Sequence, residues 1–262
     1  MSRHSACFAI IALASLIVPP AISAQDASGT AAGAAPDFQK ILSLIDERSI
    51  FPKVDFSAIV EIKTTDPEKG NSDERSASFR RDSLDAFLIL TLVPATAKGQ
   101  GMLLIADNLW KYDPMSRKFS HSSLKENYGG STAKNSDFRG SSKAKDYKVS
   151  GSSSGTLGKF DCWILDLEAT RADVTYPFMK IWVSKADSLM LKAEEYSLTK
   201  RVLRTSLFPS YTKLADKYIA TRAIFIDGLV VGKRTEFIIS DLSVRTLPDD
   251  MFTKTYLEKV NK

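Results

Sequence analysis

At 262 residues, 44% of them hydrophobic, the chain can bury one sizeable core, and all-β sandwiches and barrels of this length are usually one domain. Its two histidines and two cysteines are too few for a structural zinc site and poor equipment for acid–base chemistry. The 36 basic and 31 acidic residues leave a formal charge of +5, too balanced and too dispersed for a nucleic-acid partner.

Residues 1–24 read as a secretory signal: Arg3 opens it, 6–18 form a short apolar run, Pro19-Pro20 end any helix, and Ala21, Ser23 and Ala24 offer cleavage before Gln25. The run is shorter than the roughly 20 residues needed to cross a bilayer. Cys7 lies at its start, whereas a lipid-acceptor cysteine would follow it. Cleavage removes Cys7 and His4, leaving Cys162 without an internal disulfide partner. The expected product is soluble and periplasmic. Residues 25–36, rich in Ala, Gly and Ser, read as a flexible tether before a single domain over 37–262.

Asp37 is an N-cap, and Phe38, Ile41, Leu42 and Ile45 recur at helical spacing up to about Ser49. From Val54 the period becomes two: Phe56, Ala58, Val60 and Ile62 point one way, and Asp55, Ser57, Glu61 and Lys63 the other. A turn over 66–71 leads to a more polar strand at 76–81. The run 86–93 is apolar on both faces and must be covered on both; the helix from Asp37 is one candidate cover. A hairpin at 102–112 follows. The stretch 122–145 is polar, with Leu124, Tyr128 and Phe138 its bulky apolar groups, a composition expected of a lid, binding loop or disordered segment, with a short helix over part of 136–146. Strands resume at Tyr147, break at the Gly/Ser run 151–155, and continue to about Ser240. About ten or eleven strands in adjacent antiparallel order predict a mainly β (α+β) fold, a single strongly curved sheet or barrel.

Little in this pattern offers chemistry. His121, the one mature histidine, has polar neighbours and reads as a surface residue. GSSSGTLGK at 151–159 lacks the first glycine and the metal-binding hydroxyl of a phosphate loop. Asp249-Asp250 and Glu194-Glu195 read as solvated turn or strand residues. No catalytic residue, cofactor or metal is expected. What remains is apolar surface: Phe56, Val60, Phe79, Leu88, Leu90, Leu104, Trp163, Leu165, Met179, Ile181 and Phe237 are the expected lining of a concave face, which one helix cannot fill.

The segment ADNLWKYDP at 106–114 resembles the "Asp-Gly-x-x-Leu-Trp-x-Tyr-x-Pro" hairpin of the LolA/LolB-like lipoprotein carriers. It follows FRRDSLDAFLIL at 79–90, a basic strand end and an apolar strand, as in that family. NSDF at 135–138, FMKIWVSKADSLMLKAEEY at 178–196 and SVRTLPDDMFT at 243–253 resemble later segments of the outer membrane lipoprotein-sorting proteins, and the similarity covers nearly all of 37–256 in order. The resemblance implies an unclosed antiparallel barrel with helices covering its mouth and a cavity for acyl chains. It also implies a basic lid latch, best assigned to Arg81 with Arg80 beside it; the proline that follows in the family is Asp82 here.

The reading that follows is a periplasmic carrier that binds acyl chains of lipoproteins or lipids and moves them toward the outer membrane. Its partners would be the acylated lipoprotein or lipid itself, an inner-membrane transporter, an outer-membrane acceptor, and a membrane surface touched transiently. The alternative is a periplasmic sensing or regulatory module that docks a membrane-bound partner through 122–145.

Overall fold

The computed structural model describes residues 36–105 and 107–260; the expected signal and most of the tether lie outside them. Helix α1 (Phe38–Ser49) begins where the Asp37 carboxylate accepts from the Lys40 amide at 3.1 Å. It buries Ile41, Leu42 and Ile45, the stripe set by helical spacing. After it the chain is almost wholly strand: β1 (Asp55–Thr65), β2 (Ser72–Arg81), β3 (Ala86–Val93), β4 (Gly101–Ile105), β5 (Asn108–Asp113) and β6 (Lys118–Ser122). A crossing segment contains a 3-10 turn (Asn135–Phe138) and helix α2 (Lys143–Asp146). It leads to β7 (Tyr147–Leu157), β8 (Phe160–Ala169), β9 (Phe178–Ser184), β10 (Met190–Tyr196), β11 (Val202–Leu214), β12 (Lys217–Asp227) and β13 (Arg234–Arg245). Helix α3 (Lys254–Lys259) follows a second 3-10 turn (Asp249–Phe252).

All thirteen strands join one antiparallel sheet in the order β6-β5-β4-β3-β2-β1-β13-β12-β11-β10-β9-β8-β7. The first six step outward from the centre, the crossing segment carries the chain to the far edge, and the last seven step back until β13 pairs with β1. The sheet is strongly curved and unclosed, with β6 and β7 as its edges. Bulges at Ser57/Ile59 in β1 and near Pro209 in β11 add local bend.

Thirteen strands exceed the ten or eleven expected from periodicity. Lys118–Ser122 is a polar edge strand with little apolar signature; in the opposite sense, residues 202–214 form one bulged strand across Pro209 where periodicity suggests two. The Gly/Ser run does not interrupt β7, because its backbone pairs with β8 from Tyr147↔Ala169 to Leu157↔Phe160. Ladder hydrogen bonds there outweigh weak strand propensity, as edge geometry allows.

Strand β3 is covered on both faces, as its composition demanded, but α1 is neither cover. Phe87 and Ile89 meet Tyr128, Ala133 and Phe138 of the crossing segment. On the other face Ala86 and Leu88 pack against Leu247, Met251, Phe252 and Leu257 of the C-terminal segment. Gly101 of β4 is fitted to that cover: a Cβ there would lie 2.5 Å from Leu257 Cδ2. Helix α1 sits instead over β8 and β9, where Ile41, Leu42 and Ile45 join Leu165, Leu167, Met179 and Ile181. Nor is 122–145 a free loop, since Ser131, Thr132, Ala133 and Asn135 are buried in it. Residues this small and polar give no apolar period, so the sequence conceals their packing.

Candidate functional site

Between the inner face of the sheet and a roof built from α1 and residues 136–146 lies a cavity of about 780 Å³, within the range usual for small-molecule sites. Strand alternation supplies its floor: Phe56, Ala58 and Val60 from β1, Ala223 and Phe225 from β12, Phe237 and Ile239 from β13. Ile45 of α1, Phe138 and Met179 add to the apolar wall. Around the roof the lining turns polar and basic, with Arg48, Arg80, Lys143 and Lys145.

The roof is fastened by polar contacts. Asp46 of α1 accepts from the Lys143 and Ala144 amides, each at 2.8 Å, and from the Ser141 hydroxyl, so its carboxylate caps α2. Gln39 donates to the Ala144 and Tyr147 carbonyls at 3.0 and 3.1 Å. At the other end of α1, Arg80 Nη2 donates to the Ser49 carbonyl at 2.6 Å, and its guanidinium lies 5.0 Å from the centre of the Phe56 ring. Asp82 pairs with Arg80 at 2.6 Å and accepts from the Phe51 amide at 2.7 Å. Arg139 pairs with Asp85 beside this junction.

The expected latch, Arg81, faces the other way. It grips Asp55 through two contacts of 2.9 Å, donates to the Leu247 carbonyl at 2.8 Å and reaches Asp249 at 2.7 Å. The Arg81 guanidinium, together with the Leu247 amide, holds the Asp55 carboxyl below its ordinary range against the opposing effect of burial. Arg81 therefore clasps the C-terminal segment to the outer face. Of the two arginines it is Arg80 that meets the roof, at the Ser49 carbonyl, because neighbours on a strand point to opposite faces.

The same alternation sorts the expected lining. Phe56, Val60, Met179 and Phe237 line the cavity. Leu104 lies on that face within the cluster around Phe87 and Phe138, and Trp163, Leu165 and Ile181 are covered in the α1 cluster, with Phe38 edge-on to Trp163 at 5.5 Å. Phe79, Leu88 and Leu90 pack on the outer face: Leu88 stands one residue from the inward Phe87 and opposite Phe79.

One part of the site was not foreseen. Glu195 of β10 stands opposite Arg204 of β11, and both are buried on the cavity side. Arg204 meets Asp137 of the crossing segment at 2.6 and 3.1 Å and Glu195 at 3.0 Å. Ser206 donates to the same Glu195 oxygen at 2.8 Å. Burial pushes the Glu195 carboxyl up; burial also opposes the charge on Arg204, but Asp137 and Glu195 outweigh it and keep the guanidinium protonated. Glu195 was expected to be solvated, whereas it is 2% exposed. Its parity with buried Ala193 is the signal that could have revealed this.

His121 lies on edge strand β6 against the Trp110 ring, centroids 3.5 Å apart. Cys162 is buried and free, its thiol pushed up by burial. Among the described residues, no group of three or more His, Cys, Asp or Glu is placed to hold a metal, and no helix is long and apolar enough to cross a membrane.

A protein-family model described as "-like: Uncharacterized protein" matches residues 83–259. No curated protein matches. Among solved structures, a LolA superfamily protein from Nitrosomonas europaea is 27% identical with a TM-score of 0.74, covering 85% of this chain and 100% of that one. A putative outer membrane lipoprotein-sorting protein domain from Vibrio parahaemolyticus, 22% identical, gives 0.74 over 84% and 97%. A DUF1329 family protein from Desulfovibrio piger, 20% identical, gives 0.73 over the same shares. The chain belongs to the matched family, and its fold is LolA-like. A LolA-like fold is a binding and carrier fold, which agrees with a site built from an apolar floor and a fastened roof.

Proposed function

We propose that the protein is a periplasmic carrier that shelters the acyl chains of a lipoprotein or lipid in the cavity beneath α1 and moves them toward the outer membrane. The observation that carries this reading is the roughly 780 Å³ cavity with an apolar floor and a separately fastened roof, in a fold shared with lipoprotein-sorting proteins. The expected signal segment supplies the compartment. Each CH₂ hidden from water is worth about 0.8 kcal/mol, so a long acyl chain gains enough from such a cavity to cross an aqueous space. Under this reading Phe56, Val60, Met179 and Phe237 contact the chain, and Leu104, Trp163, Leu165 and Ile181 back the wall. Arg80 sets how readily the roof lifts. The cargo's partners would be a membrane donor and an outer-membrane acceptor. Mass spectrometry of organic extracts from the purified protein, with a fluorescent fatty-acid titration, tests the proposal. Copurified lipid or saturable uptake is the expected result; neither, in a folded preparation, overturns it.

A further inference from the structure

The carrier reading calls for contact with a membrane but not for any particular surface of the molecule. Antiparallel order puts the β12–β13 turn (228–233), the β10–β11 turn (197–201) and the β1–β2 turn (66–71) side by side at one end of the sheet. The Gly228 amide donates to the Leu203 carbonyl at 2.9 Å, and Lys233 pairs with Asp66 at 2.9 Å, so the three turns are joined. At their tips Val231 is 95% exposed, Leu198 80% and Leu229 50%. Among the described residues, Leu84 and Met115 are the other large hydrophobic side chains exposed by half or more. Both apolar turns are held in shape: the Asp227 carboxylate accepts from the Leu229 and Val230 amides at 2.8 and 3.0 Å, and the Ser197 hydroxyl from the Arg201 amide at 3.1 Å. Lys69, Lys200, Arg201 and Arg234 stand exposed around them and make no ion pair among the described residues. Of the nearby carboxylates, Asp66 is paired with Lys233 and Asp227 is taken by amides, which leaves Glu68 against four cations.

We infer that this end of the sheet docks on an anionic bilayer surface, with Leu198, Leu229 and Val231 entering the interface and the surrounding cations set against lipid phosphates. Aliphatic tips on preformed turns need no matching pocket to enter lipid, and the excess of cations complements anionic headgroups. A protein partner fits less well: specific interfaces take roughly 20–30 residues a side and are anchored by large aromatic side chains, neither of which three aliphatic tips supply. The β8–β9 connection stands next in line at the same end, and its Val174, Thr175 and Tyr176 line the cavity. Docking here therefore brings one wall of the cavity toward the lipid.

The test is flotation of the expected mature chain, residues 25–262, with vesicles of phosphatidylcholine alone and of phosphatidylcholine with phosphatidylglycerol in equal parts, no cargo present. Binding to the anionic vesicles is expected, about tenfold tighter than to the neutral ones and weakened by salt. Leu198→Asn combined with Val231→Asn should lower that binding about tenfold. Arg201→Gln combined with Arg234→Gln should lower it about three- to tenfold and flatten its salt dependence. All four side chains are exposed, so these variants keep the fold. Leu84→Asn, at a leucine exposed on the other end of the sheet, should bind as the wild type does. No binding to anionic vesicles, or wild-type binding by the Leu198→Asn, Val231→Asn variant, overturns the inference. Dimerisation in sedimentation that this variant abolishes, in place of vesicle binding, also overturns it and assigns the turns to a second copy of the chain. Fatty-acid uptake in solution reports the cavity separately: it should be intact in every variant, and its absence from the wild type overturns the carrier reading alone.

Discussion

The two faces of β3 are equally apolar in sequence yet covered by different means. On the outer face the C-terminal segment supplies Leu247, Met251, Phe252 and Leu257, packed onto Ala86 and Leu88. The inner face receives Leu124, Tyr128, Ala133 and Phe138 from the crossing segment, and toward β1 and β12 the remaining space stays open as the cavity. Fastening differs too. Arg81 clasps the outer cover through the buried Asp55 carboxylate and the Leu247 carbonyl, while the roof is held at one end by Asp46 and Gln39 and at the other by Arg80, which bonds the Ser49 carbonyl and pairs with Asp82. The outer face is packed shut, and under the proposed carrier reading the inner cover is the part that would lift from its floor.

That contrast breaks first at Arg81. Arg81→Met leaves Asp55 buried without its partner, a change that costs about 3–5 kcal/mol in comparable sites. Urea unfolding should show the loss, and fluorophore uptake by the fraction that stays folded should be unchanged. A comparable loss of uptake in the folded fraction would show that the two faces are not independent. Leu257→Ala opens a void against Gly101 and should cost about 2–4 kcal/mol, again visible in unfolding curves with uptake intact.

The clasp should also show in acid. The Asp55 carboxyl is held below its ordinary value, so its contribution is fully present above the unfolded value near 3.9 and lost as pH falls through the lower folded value. Stability measured downward from about pH 5 should therefore drop, and Asp55→Asn should flatten that acid limb. An unchanged slope in the variant would remove Asp55 from the account.

The smallest stability effect is expected on the inner side. Arg80→Ala removes the tie to Ser49 and the ion pair with Asp82, which keeps its bond from the Phe51 amide, and should cost about 2 kcal/mol. Its signature is kinetic: bound fluorophore should leave faster in stopped-flow dilution while Arg81→Met leaves that rate unchanged. Equal release rates for Arg80→Ala and the wild type would show that α1 is not the gate.

Much of this was legible in the residues. The Asp37 cap and the Ile41, Leu42, Ile45 stripe placed α1 to within a residue, and period-two alternation in β1 assigned its buried face correctly. The double-sided composition of 86–93 called for two covers and found two. Less legible were partners chosen at long range. Phe79, Leu88 and Leu90 are as apolar as Phe56 or Phe237, and nothing in their composition says which face of a curved sheet they take. Arg80 and Arg81 are chemically identical neighbours whose roles diverge through the pleat alone. Glu195, Arg204 and Asp137 lie in three separate segments, and only the pairing of β10 with β11 under the crossing segment brings them together.

The sequence by itself determined the element types, the antiparallel curved sheet and the scarcity of reactive groups, because periodicity and composition are local properties of the chain. Tertiary structure alone decided which segment roofs which face, which arginine holds it, and that a charged cluster sits at the edge of an apolar cavity. Those outcomes depend on contacts between residues tens to nearly two hundred positions apart, such as Asp55 with Leu247, and no local pattern encodes such a distance.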